Sequence, residues 1–507
     1  MSNYLSTIFQ YPPTMMITSL IIPLIIIIIL LIKPARKKTP PGPPGLPFIG
    51  NLLQFDKANP HMYLHRLSKK YGPLVHLRHG STPILVVSSS RTAKHILKTH
   101  DLSFCSRPPI VGQQKLAYNG IDMAFSPYSQ HWRQMRKICV LHLLSTKQVY
   151  SGRAGREDEV QKLTSKISRS IGSSCNLSDM TMSLASNLIC REAFGRRYDD
   201  DEYEKMRFDR LIMEAQALMV SFYCADHFPG LGWVDKVLGL TGRLDRNCKE
   251  LDVFYQRLID EHLDPGRARP EKPDIIDLMI ELKYKNESSL SMDLTWDHIK
   301  ALLMDLLVAG TDTVAAALVW SMTALMLRPE IMKQAQAQIR QLVGPKGFVD
   351  EDDIKKLPYL KAVVLEALRL YPPAPLLFRT QILKLREYID VDGYQIEPGT
   401  SVFINGWAMA RDPETWTDPD EFRPERFTSN LDILKGGGFE MVPFGGGRRG
   451  CPGMEMGLIS TELALANLLY SFDWALPDDR AFIDTEALPG LTMHKKNPLV
   501  LVATKYN

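Results

Sequence analysis

No charged side chain occurs in residues 1 to 32, and from Met15 to Ile32 the chain is dominated by isoleucine, leucine and methionine. Those 18 residues would span roughly 27 Å as a helix, near the hydrocarbon thickness of an endoplasmic reticulum bilayer. Lys33, Arg36, Lys37 and Lys38 follow the apolar run instead of preceding it. That order predicts a retained single-pass anchor, not a cleaved signal peptide, with everything beyond residue 33 in the cytosol. A basic, proline-rich hinge then occupies 34–50, where the run Pro40 to Pro47 forbids helix and favours extended backbone.

From 51 to 507 no repeat or Ser/Gly-rich linker intervenes, and long helical periods alternate with short strand-like runs. The pattern predicts one mainly α domain with small β-sheets, an α+β fold. Strands are expected at Leu74–Leu77, Ile84–Val87, Tyr388–Val391 and Ser401–Ile404, and an exposed loop at Asp264–Asp274. The clearest helix starts after Thr295 as N-cap and runs from Trp296 to about Met326, before Pro329. Ile299, Leu302, Leu303, Leu306 and Leu307 form its apolar stripe, and the alanines from Ala315 to Ala317 leave few polar positions on any face, so it is expected to be central. An amphipathic helix is expected from Met454 to Phe472.

The 507 residues carry 61 Lys and Arg against 57 Asp and Glu, a net charge of +4, too balanced for a general nucleic-acid binder. The 45% apolar content excludes disorder as the whole answer. Seven scattered cysteines without a Cys-x-x-Cys pair argue for reduced thiols in a cytosolic setting. On that topology the sequons at Asn176 and Asn286 stay unglycosylated.

The sharpest local pattern is Pro443-Phe444-Gly445-Gly446-Gly447-Arg448-Arg449-Gly450-Cys451-Pro452-Gly453. A cysteine just before a helix and beneath a glycine-rich turn receives backbone N–H groups and the positive helix end, which predicts a thiolate. The spacing Gly445-x-Gly447-x-x-Gly450 also fits a dinucleotide fingerprint, but Pro443 interrupts the preceding run and no βαβ unit follows. A structural buried cysteine would not need three glycines and two arginines around it. A lone thiolate without neighbouring Cys or His suits a metal that brings its own remaining ligands, as haem does.

Phe444-x-x-Gly447-x-Arg449-x-Cys451-x-Gly453 resembles the haem-binding signature of the cytochrome P450 family, and its wording resembles the plant microsomal branch. The resemblance extends from Pro34 onward. It implies the P450 fold over 51–507 and a haem b cofactor (iron protoporphyrin IX) with Cys451 as metal ligand. Trp132, Arg136, Arg379 and Arg449 would bind haem propionates, and Phe444, Gly447 and Gly453 would shape the cofactor loop. Phe378-Arg379-Thr380-Gln381 departs from the family's Pro-Arg-Glu wording.

Read from composition alone, Ala309-Gly310-Thr311-Asp312-Thr313 is a weak segment in mid-helix, because glycine costs about 1 kcal/mol there and threonine hydroxyls bond back to carbonyls. An acid beside an alcohol holds water and passes protons, and in the family Asp312 and Thr313 match the acid and alcohol of the distal side. Glu366 and Arg369, at i and i+3, are by themselves an ordinary surface pair. The resemblance makes them a buried network with Arg426 in Pro424-Glu425-Arg426-Phe427. Substrate-facing positions are expected at Phe125, Asp305, Ala309, Leu376, Leu377 and Leu491, a mostly apolar set for a hydrophobic small molecule. Phe228–Trp233 could also dip into the membrane interface, or be only a turn between helices.

The resemblance therefore implies an endoplasmic reticulum monooxygenase of plant specialised metabolism. It would use O2 and NADPH electrons from a separate cytochrome reductase, contact membrane lipid, and bind no nucleic acid. Two other readings stay open at this level: a reductase-independent rearranging enzyme, which would not need Asp312 and Thr313, and a haem-based sensor.

Overall fold

The helix Trp296–Leu327 is the axis of the fold. In the computed structural model the described residues are 38–199, 202–268, 270, 272–285, 292–382, 387–435, 437–477, 482–488 and 490–506. The expected anchor (1–33) and the sequon at Asn286 lie outside them. Thr295 caps the axial helix reciprocally: its Oγ1 accepts from the His298 N–H at 3.3 Å, and its own N–H donates to His298 Nδ1 at 3.0 Å. Histidine here replaces the usual Glu or Gln of a capping box. The helix is buried all round for most of its length and packs against Leu177–Phe194 and Met454–Ser471. Among the described residues it is the one helix long and apolar enough to cross a membrane, yet the domain covers it.

The Met454–Ser471 helix is not amphipathic as expected. Its second half, including Ser460, Thr461 and Leu463–Leu469, is buried on every side. The axial helix, Pro329–Val343 and Arg153–Ser168 surround it. Its one strongly polar buried side chain, Asn467, is satisfied by both backbone groups of Val349, at 3.0 and 2.9 Å.

Three of the four expected strands lie in one mixed sheet. Leu74–His79 pairs antiparallel with Thr82–Val87, which pairs parallel with Ser401–Asn405, which pairs antiparallel with Leu376–Thr380. Alternation sends Val75, Leu77, Ile84 and Val86 to one face, against Leu64 of the helix Pro60–Tyr71. Leu74, Leu85, Val87, Val402 and Ile404 go to the other. The fourth strand, Ile389–Val391, forms a separate ribbon with Tyr394–Ile396.

The proline-rich hinge is docked from residue 38 onward and is not a free spacer. Prolines lack N–H groups but keep their carbonyls, so Pro41 O accepts from the His76 N–H at 2.9 Å and Pro43 O from Asn51 Nδ2 at 3.1 Å. A Cβ at Gly42 would lie 2.0 Å from the His76 carbonyl oxygen, so only glycine permits this approach. The expected loop Asp264–Asp274 is exposed at its start, but Asp274 is buried, where it accepts from His262 Nε2 at 2.9 Å and Arg267 Nη2 at 3.1 Å. The guanidinium occupies the place that a cation would take between Asp274 and Asp277.

Candidate functional site

The cysteine loop is built by glycines at two positions. Gly445 and Gly447 have φ of 72° and 64°, and a Cβ on Gly447 would meet the Asp101 carboxylate at 2.4 Å and the Leu97 carbonyl at 2.5 Å. The loop closes when the Cys451 N–H donates to Phe444 O at 2.8 Å. Cys451 is the one exposed cysteine of the seven, although protein atoms crowd it deeply enough for burial to raise its thiol above the ordinary value of 9.0. The Gly453 N–H and Arg136 oppose that rise without reversing it. Without the cofactor, burial thus disfavours the thiolate, and a coordinated cation would favour it.

Four guanidiniums converge beside this loop: Arg107, Arg136, Arg379 and Arg449. Arg449 donates to three carbonyls, Cys105 O at 2.7 Å, Ser126 O at 2.6 Å and Met123 O at 3.3 Å, and stacks over Trp132 at 4.2 Å. Arg379 donates to Phe378 O at 2.9 Å, and Arg107 to Phe378 O and to Ala124 O, the latter at 2.8 Å. Among the described residues none of the four forms an ion pair with a carboxylate. Burial, then mutual repulsion, lowers the affinity of Arg379 for its proton well below normal. Burial likewise lowers Arg107 to about 10 and Arg449 to about 9.

Buried cations without counterions are costly. A ligand carrying two carboxylates would relieve that cost, and haem carries two propionates, so the residues present fit haem. Trp132 departs from expectation: its indole N–H is given to Met123 O at 2.9 Å, so it supports Arg449 instead of presenting a free donor.

Away from its ends, the axial helix exposes itself at one place. Ala309 is exposed and Gly310 and Thr313 are half-buried within an otherwise covered stretch. The helix continues unbroken, and Thr311 and Thr313 donate their hydroxyls back to Leu307 O at 2.8 Å and Ala309 O at 2.7 Å. Asp312 faces elsewhere, toward His494 Nε2 at 3.3 Å. His494 is a residue that no sequence motif marked. Its neighbour Met493 is pinned at both backbone groups, by Pro373 O and by the Trp320 indole, each at 2.8 Å.

Glu366 and Arg369 are both 0% exposed, so they are no surface pair. They meet in a bidentate bridge of 2.7 and 2.8 Å. Arg426 Nε and the Arg423 N–H both reach Glu366 Oε1, at 3.2 and 2.8 Å. Arg369 also donates to Ala410 O, Pro419 O and Glu421 O, which ties the irregular segment 410–427 to the helix Pro358–Leu370.

These features converge with the comparisons. The family model described as Cytochrome P450 matches residues 40–502. The chain belongs to the cytochrome P450 family. It is 49% identical over 477 residues to 6,7,8-trihydroxycoumarin synthase of Pastinaca sativa, covering 92% of this chain and 93% of that one. It is 47% identical to 5-OH-xanthotoxin synthase of Ammi majus, with the same coverage. It is 45% identical to cytochrome P450 71B37 of Arabidopsis thaliana, over 93% of this chain and 94% of that one. A solved zebra fish cytochrome P450 with progesterone superposes with a TM-score of 0.75 at 24% identity, over 88% of this chain and 99% of that one. Haem is thus the cofactor, and the activity is that of a monooxygenase of specialised metabolism.

Within this P450 the expected substrate positions divide. Phe125 and Leu491 both pack against the apolar cluster that includes Leu306, Leu307 and Val308 of the axial helix. Leu376 and Leu377 are adjacent on a strand and so point to opposite faces, one packing with the Leu64 cluster and the other with the Leu85 cluster. They do not form one wall. Asp305 is 8% exposed, and its Oδ2 accepts the Met123 and Ala124 N–H groups at 2.8 and 3.2 Å. Its carboxyl holds protein backbone and is not free for a substrate. Sequence reading missed Arg107, Asp122 and His494, each a single polar residue outside any recognisable spacing. Arg107 meets carbonyls 17 and 271 residues away, Asp122 meets Asp305 183 residues away, and His494 meets Asp312 182 residues away.

Proposed function

We propose that this P450 is held on the endoplasmic reticulum membrane by residues 1–33 and hydroxylates a hydrophobic aromatic metabolite of the coumarin class. NADPH electrons would arrive through a separate flavoprotein reductase. The observation that carries the reading is an exposed Cys451 beside four guanidiniums without carboxylate partners, together with the uncovered Ala309, Gly310 and Thr313 on the otherwise buried axial helix. The printed names of the relatives supply the substrate class: a trihydroxycoumarin synthase and two 5-OH-xanthotoxin synthases, at 47 to 49% identity.

Haem, when bound, supplies the iron at which O2 is activated. Cys451 Sγ is its protein ligand, and Phe444, Gly447 and Gly453 set the loop that presents that sulfur. Arg136, Arg379 and Arg449 pair the propionates, with Trp132 bracing Arg449. Thr313 spends its hydroxyl proton on Ala309 O, so its oxygen lone pairs stay available to accept from, and so orient, a water. Asp312, one residue away and held by His494 Nε2 at 3.3 Å, can relay a proton by accepting it at one carboxyl oxygen and releasing it from the other. Phe125, Ala309 and Leu491 give the substrate apolar surface and exclude water from it.

The decisive assay is a spin-state titration with simple coumarins and furanocoumarins, followed by product analysis with reductase and NADPH. A hydroxylated coumarin as product is the expected outcome, and no spectral shift with any member of the class would refute it. Thr313→Ala is expected to fold and bind haem, since one lost hydroxyl costs about 1 kcal/mol and alanine favours helix. It should consume NADPH while releasing hydrogen peroxide, so that product per NADPH falls several-fold. An unchanged ratio would show that the Thr313 hydroxyl takes no part in proton delivery. Deleting residues 1–32 should move much of the protein to the soluble fraction with its haem spectrum intact. The exposed Leu231 and Trp233, 43% and 63% accessible, would retain some membrane affinity.

A further inference from the structure

Asp122 and Asp305 form a buried carboxyl pair that neither the haem site nor the proton path uses. They are 1% and 8% exposed. Asp122 Oδ2 accepts the Phe125 N–H at 2.8 Å, and Asp305 Oδ2 accepts those of Met123 and Ala124. Asp122 Oδ1 is buried without a hydrogen-bond donor, and the Asp122 and Asp305 carboxyls, held on the consecutive amides of residues 123 to 125, lie within interaction distance of each other. Two ionised carboxylates in that contact would repel, so the geometry requires a proton between them. The segment Met123–Ser126 is gripped from its other side by Trp132, Arg107 and Arg449, which take the carbonyls of Met123, Ala124 and Ser126.

We propose that Asp122 and Asp305 share one proton, and that this proton is the latch fastening the Phe125 loop to the axial helix. Asp122 and Asp305 are therefore positioning residues for the substrate wall. The inference rests on the assignment of Phe125 to that wall, but its test reads the loop directly.

The surroundings agree. Asp305 faces Asp122, the Tyr255 hydroxyl from the helix Leu240–Leu263, and the Cys139 thiol after the helix Gln130–Ile138. Arg107 and Arg449 are the cations near the pair. Burial, then Asp122, raises the Asp305 carboxyl well above its usual range, and burial raises Asp122 as well. A folded-state pKa above the unfolded value means that the contribution is full below the unfolded value of 3.8 and is lost as pH rises through the folded one. The latch therefore loosens toward alkaline pH, opposite to the behaviour of an ordinary salt-bridged aspartate.

Hydrogen–deuterium exchange of the full-length holoprotein reads the latch at the three amides that the pair accepts. Asp122→Asn supplies a permanent N–H in place of the shared proton, while Asp122→Leu supplies none. At pH about 6, segment 122–126 should stay protected in wild type and Asp122→Asn, and exchange about tenfold faster in Asp122→Leu, equivalent to about 1.4 kcal/mol. As the pH is raised in steps from about 6, after correction for intrinsic exchange, wild type should lose protection progressively while Asp122→Asn keeps it. Equal protection in all three proteins, or an identical alkaline loss in wild type and Asp122→Asn, would overturn the shared proton. Should Asp122→Leu fail to fold, the comparison of wild type with Asp122→Asn across pH still decides. A failed coumarin titration with the exchange result intact would reject the substrate class alone.

Discussion

Glu366→Ala is expected to yield protein that carries little or no haem, although Glu366 is assigned no contact with the cofactor. The side chain is fully buried and receives four donors: two from Arg369, one from Arg426 and the Arg423 N–H. Removing it strands the Arg369 cation at 0% exposure and frees Arg426 on its inner side. Breaking a buried pair from one side costs about 3–5 kcal/mol, a large share of a net stability of about 5–15 kcal/mol. The segment 410–427, which Arg369 and Arg426 hold by its carbonyls, precedes the cysteine loop in the chain. The haem-to-protein ratio and the apparent Tm of matched preparations measure the effect. A variant equal to wild type in both would show that the network contributes nothing to the cofactor site. Glu366→Gln, which keeps an acceptor of the same shape but loses the charge, should fall between the two.

Cys451→Ala is expected to abolish the CO-difference spectrum of a thiolate-ligated haem. From Phe444 to Gly453 the other side chains are aromatic, guanidinium, proline or absent, and none can donate to iron. The loop itself should survive, because the contacts that build it are made by backbone and glycine: the Cys451 N–H to Phe444 O, and Gly447 against Leu97 and Asp101. Circular dichroism should therefore stay near wild type while the spectrum disappears. A normal thiolate band in the variant would remove Cys451 from the iron. Because burial raises the thiol, wild-type apoprotein should react with thiol reagents at Cys451 more slowly at pH 7 than a helix-capping thiolate would, and faster as pH rises.

Several features of this P450 were legible from residue order because each depends on neighbours close in the chain. The capped axial helix, the short strands and the glycine turn before Cys451 follow from local periodicity, capping and φ requirements. Cys451 was singled out by its glycine-rich surroundings, whereas Glu366 with Arg369, and Thr313, were singled out only through the family resemblance. Burial and partnership were not legible at that range. The sequence could not show that the Met454–Ser471 helix is enclosed on every side, since its flanks meet segments more than a hundred residues away. Nor could it show that Leu376 and Leu377 serve opposite faces of a sheet, that Asp312 turns to His494, or that Asp305 is spent on the loop 122–126. By itself the sequence determined the family and the cofactor, because a short run of residues specifies the glycine loop around Cys451. The tertiary structure alone decided which polar side chains are free to act, because hydrogen bonds and charges are satisfied by whatever the fold brings into contact, at any distance along the chain.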